Sequence, residues 1–70
     1  MAIELAPYKV LRYFDGVEIH WYVVNTAHPL HAPEYGALAS VVDHFECRQD
    51  AAHECSRRNS AHAMDALGIY

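Results

Sequence analysis

The feature that most restricts what this chain can fold into is the dipeptide Asp15-Gly16, set between two strand-like runs, Tyr8–Phe14 and Val17–Val24. Asp-Gly between alternating residues predicts a β-hairpin, because a type I′ turn needs φ > 0 at both central positions. A two-residue turn at this point pairs Phe14 with Val17, Arg12 with Ile19, Val10 with Trp21 and Tyr8 with Val23. Those eight side chains share one face, and all but Arg12 are largely apolar. The opposite face carries Leu11, Tyr13, His20, Tyr22 and Val24 with Lys9 and Glu18. The first face reads as core. The second is too polar for a second core and too aromatic for a surface that only solvates.

Beyond the hairpin, Asn25 to Gly36 reads as a loop, since Pro29 and Pro33 withhold the donors that a ladder or helix interior needs. A dozen residues is long for a connection in so small a domain, which makes the segment a candidate for binding. Ala37 to Phe45 is open to two readings. Leu38, Val41, Val42 and Phe45 follow helical spacing, with Pro33-Glu34 able to open a helix. The preferred reading is a third strand over Ser40 to Phe45, with β-branched Val41-Val42 at its centre. From Phe45 to Ala52 the chain resembles the strand-to-helix junction of many small α+β proteins.

A helix is expected from Arg48 to Leu67, with Ala52, Cys55, Ser56, Asn59, Ala63 and Ala66 on its inward face. Gly68 suits the left-handed position that ends helices, and Ile69 the apolar contact that goes with it. Small residues on the helix let it approach the sheet closely, where Trp21, Phe14 and Tyr8 fill the space. The expected fold is therefore one small α+β domain over residues 1–70: an antiparallel hairpin, widened to three strands, with one C-terminal helix packed on one face.

Seventy residues can bury only about 60% of the unfolded chain's surface, so a staple, a metal or a partner chain matters at this size. No apolar run is long enough for a membrane span and the start lacks a signal-peptide layout, so the expected location is cytoplasmic. The net charge of −4, nine acidic residues against five basic, disfavours direct nucleic-acid binding and suits a protein partner with a positive surface. Arg48, Arg57 and Arg58 are offset by Asp50 and Glu54 at helical spacing. Cys47 and Cys55, eight residues apart on one helix, would lie about 12 Å from each other, too far to bridge, and read as reduced, partly buried thiols.

Enzymatic chemistry finds little to work with. Cys55 and His62 are about two helical turns apart, Cys47 lacks an orienting third group, and the three glycines stand alone. The expectation is no enzyme and no cofactor. Six histidines suggest a metal alternative, with His28, His31, His44 and Cys47 spaced in outline like a zinc site. Glu46, Asp50 and Glu54 recur every four residues and make an acidic stripe on a helix. Leu11, Tyr13, His20 and Tyr22 have the composition that interfaces favour, aromatic bodies with polar tips.

These residues point to a non-enzymatic protein-binding module that uses Leu11, Tyr13, His20 and Tyr22, the Asn25–Gly36 loop, and the acidic stripe of Glu46, Asp50 and Glu54. The alternatives are a metal-binding module, or a homodimer in which the second hairpin face is its own partner. In size, acidity and lack of chemistry the chain resembles the small inhibitor and adaptor proteins that phages and mobile elements encode, anti-CRISPR proteins among them. Those families share no motif, so no residue carries over. The resemblance implies occlusion, steric or electrostatic, of a partner's nucleic-acid-binding surface.

Overall fold

A computed structural model describes residues 5–68. Strands β1 (Tyr8–Phe14), β2 (Ile19–Asn25) and β3 (Val41–Phe45) form an antiparallel sheet in the order β1-β2-β3, followed by helix α1 (Arg48–Leu67). This is the α+β fold expected from the sequence, and the third strand settles the reading of Ala37–Phe45. Pro33-Glu34 opens only a single 3₁₀ turn, Pro33–Tyr35. Gly68 ends α1 in the left-handed conformation (φ 70°), its N–H bonded to the carbonyls of Met64 and Asp65. The expected contact by Ile69 lies outside the described residues.

The hairpin register differs from the expected one by two residues. Phe14 opposes Ile19, Arg12 opposes Trp21, Val10 opposes Val23 and Tyr8 opposes Asn25. Among the described residues only glycines take positive φ, so a type I′ turn is excluded. Gly16 (φ 99°) is instead the first central residue of a Gly16-Val17 turn, as in the type II′ pattern. Asp15 closes that turn. Its N–H donates to the Glu18 carbonyl, and its Oδ1 accepts the N–H groups of Val17 and Glu18. A shift of two preserves the alternation of faces, so every strand residue stays on the face assigned to it and only Val17 moves into the turn.

The core lies between the first hairpin face and α1. Val23 and Ala51 are fully buried and touch Cys55, with Tyr8, Val10, Trp21 and Phe45 packed around them. Phe14 does not join this core. It is 59% exposed, because it projects past the start of the helix toward the turn. The inward face of α1 is rotated in part from the expected one: Cys55, Asn59 and Ala63 stay on it and Ala51 is buried, while Ala52, Ser56 and Ala66 are exposed. A clamp at Asn59 fastens the helix in this position: its Oδ1 accepts the Tyr8 N–H (2.9 Å) and its Nδ2 donates to the Tyr8 carbonyl (3.0 Å). Burial pushes the Cys55 thiol's pKa up, and its Sγ donates to the same carbonyl at 3.3 Å.

Candidate functional site

The outer face of the sheet divides into two ends. At one end Val24 is 4% exposed although it alternates away from the helix. The 26–40 segment is tied down there: the Asn25 N–H donates to the Ser40 carbonyl, Thr26 N–H and Oγ1–H both donate to the Pro7 carbonyl, and His31 Nδ1 bonds Ser40 Oγ at 2.8 Å. His28 Nδ1 accepts the Leu30 N–H. The loop proposed for binding therefore spends two of its histidines on holding its own shape. What remains open on it is a shallow groove lined by His31, Ala32, Pro33, Gly36 and Ala37.

At the turn end the face is open, and the structure gathers more than the sequence offered. Leu11 opposes Tyr22 and Tyr13 opposes His20 across the hairpin, while His44 opposes Tyr22 from β3. Tyr22 and His44 stack at 4.8 Å, His20 lies 5.0 Å from His44, and Tyr13 meets Tyr22 edge-on at 6.1 Å. One bonded chain runs through the imidazoles. His20 Nε2 is 2.7 Å from Asp15 Oδ2, and His20 Nδ1 is 3.0 Å from His44 Nε2. Asp15 is ionised and can only accept, so His20 Nε2 carries a hydrogen; a neutral His20 then presents a bare Nδ1, to which His44 Nε2–H donates. The Asp15 carboxyl is held down to about 2, first by the Glu18 N–H, then by His20 and by the Val17 N–H.

Asp15 and His44 were not legible as partners of this face. Asp15 reads as a turn residue until the register is known. His44 joins His20 through the β2–β3 register, which sets it opposite Tyr22; beyond it a bulge between Val23–Asp43 and Val24–Val41 leaves Val42 without a partner. The signal available in the sequence was the alternation within Val41–Phe45, which sets His44 apart from Phe45.

The acidic stripe is a free surface only at Glu46 and Asp50. Glu46 precedes α1 and sits in the connection from β3. Asp50 is exposed in the first turn of α1. Glu54 is bound by Arg57 through two hydrogen bonds, of 2.8 and 2.6 Å, which hold its carboxyl below the usual range. Arg58 Nε lies 2.8 Å from Glu54 Oε2 but off the hydrogen-bond axis, and its Nη2 is 3.6 Å from Asp43. Two guanidinium groups thus neutralise the stripe at its C-terminal end.

Nor do the alternative metal ligands meet. His28 and His31 are engaged within the loop, His44 stacks on Tyr22, and Cys47 stands at the N-cap position of α1 with its thiol free, exposed rather than partly buried, and making no cap hydrogen bond. Among the described residues no three His, Cys, Asp or Glu side chains converge on a point that could hold a metal ion. None of their helices is long and apolar enough to cross a membrane. Comparison with protein-family models, with curated proteins and with solved structures gives no match for this chain.

Proposed function

We propose that this chain is a non-enzymatic protein-binding module whose contact surface is the turn end of the outer sheet face: Leu11, Tyr13, His20 and Tyr22, extended by His44. The observation that carries this reading is the stack of Tyr22 on His44, beside a His20 whose ring is fixed at both nitrogens. Rings held in place before a partner arrives lose little conformational freedom on binding, and tyrosine is among the residues that dominate interface energetics. Tyr13 is still 36% exposed, so the platform has surface to give.

Exposed Asp15 and Glu18 border the platform at the turn, so the partner surface that fits it carries basic residues at its rim. Clustered basic residues are the footprint of nucleic-acid-binding proteins, so a partner of that kind fits an inhibitor or adaptor acting by occlusion. Glu54 takes no part in this reading, and Glu46 and Asp50 add only exposed charge. Affinity capture from the native host, with the intact chain and a Tyr13→Ala/Tyr22→Ala variant side by side, tests it. A partner recovered by the intact chain and lost with the variant is expected. Equal recovery by both would remove this face from the account.

A further inference from the structure

We infer that a second copy of this chain pairs with the free edge of β1, joining the two sheets into one six-stranded antiparallel sheet about a two-fold axis at Leu11. The argument begins with which backbone groups point where. Asp15 N–H donates to Glu18 across the hairpin, and alternate residues of an antiparallel strand turn both their groups to the same side. Lys9, Leu11 and Tyr13 therefore bond to β2, while Tyr8, Val10, Arg12 and Phe14 turn N–H and C=O away from it. Tyr8 confirms the parity, since both its groups are taken by the Asn59 amide, as a neighbouring strand would take them. The outward groups of Val10, Arg12 and Phe14 have no partner among the described residues.

The other edge of the sheet is blunted. β3 is five residues long, carries the Val42 bulge, and turns charged Asp43 toward Arg58 beneath the sheet. Short length, bulges and inward charges are the devices that stop strands from pairing. β1 has seven residues in unbroken register and no proline. Beside it lies a groove of about 490 Å³, lined by Val10, Ala52, Ser56, Asn59, Ser60 and Ala63, where small helix residues leave room for an added strand.

The occupant is argued from self-complementarity along β1, in a chain whose 5070 Å² of exposed surface exceeds the ~4,400 Å² expected of a compact monomer of its mass. An axis at Arg12 would set Arg12 against Arg12 of the second copy, a like-charge pair that disfavours the register. An axis at Leu11 opposes no like charges: Val10 faces Arg12 and Lys9 faces Tyr13 of the second copy, and the pairing stops short of Tyr8, whose outward groups Asn59 already holds. It makes four backbone hydrogen bonds between the Val10 and Arg12 positions.

Sedimentation velocity from micromolar to millimolar concentration, on the intact chain and on Arg12→Pro, tests this. Proline removes only an outward N–H that the monomer leaves unused, so the fold keeps its ladder. Dimerisation should weaken by roughly thirty-fold, the loss of two of the four hydrogen bonds. A chain that stays monomeric throughout leaves the edge to a foreign strand and overturns self-pairing, as does an Arg12→Pro variant that dimerises like the intact chain. Should that variant not fold, amide exchange in the intact dimer decides. Val10 and Arg12 must exchange as slowly as Leu11, and fast exchange at both overturns the proposal.

Discussion

Asn59→Ala is expected to cost this fold about 1.5 kcal/mol, a large share of the ~4–10 kcal/mol that a chain of this size has in total. Asn59 is where α1 is fastened to β1, by one acceptor at 2.9 Å and one donor at 3.0 Å on the same residue, Tyr8. Removing the side chain orphans the Tyr8 N–H, a loss of about 1–3 kcal/mol for a buried donor and near the lower end here because Tyr8 is half-buried. The Tyr8 carbonyl loses its stronger donor, about 1 kcal/mol more, and keeps the Cys55 thiol. Alanine returns about half a kcal/mol through its helix propensity. Urea unfolding followed by Trp21 fluorescence at fixed protein concentration gives the difference directly, and Tm should fall by roughly 10 °C. Asn59→Asp separates the two bonds. It keeps the volume and the acceptor but sets a carboxylate against the Tyr8 carbonyl, so it should be no better than alanine. Loss of less than half a kcal/mol in both variants would refute the clamp.

Two further outcomes follow from the geometry. Asp15 is held at about 2 against an ordinary 3.8, so the stability it supplies is complete above 3.8 and is lost as pH falls toward 2. Asp15→Asn keeps the turn acceptor and lacks the charge, so its denaturation midpoint should vary less across that window; identical pH profiles would contradict the assignment. Ala51→Leu should wedge α1 off the sheet at a cost of about 1–3 kcal/mol, whereas Ala52→Leu should change stability by less than about 0.5 kcal/mol. A larger loss at Ala52 than at Ala51 would put the helix in the rotation expected from its sequence.

Much of the framework was readable because it rests on local chemistry. The bounds of β1 and α1, the left-handed Gly68 and the strand at Val41–Phe45 all follow from periodicity and from residues that few backbone conformations accept. Errors arose where two local solutions have the same period. A hairpin turned at Asp15-Gly16 and one turned at Gly16-Val17 put the same side chains on the same faces, so hydrophobic pattern alone cannot separate them. The helix face is only partly legible because alanine and serine carry no marker of direction, and the Asn59 clamp that fastens α1 to β1 spans 51 residues.

The sequence by itself determined the layer order, a hairpin with an aromatic outer face over a helix of small residues, since alternation and helical spacing allow little else. Only the tertiary structure decided that Asp15, His20, His44 and Tyr22 form one connected group. It also decided that Glu54 is neutralised by Arg57 and that Phe14 is left outside the core. Each of these depends on a register or a helix rotation, and such choices are fixed by contacts between distant segments rather than by the preference of any one of them.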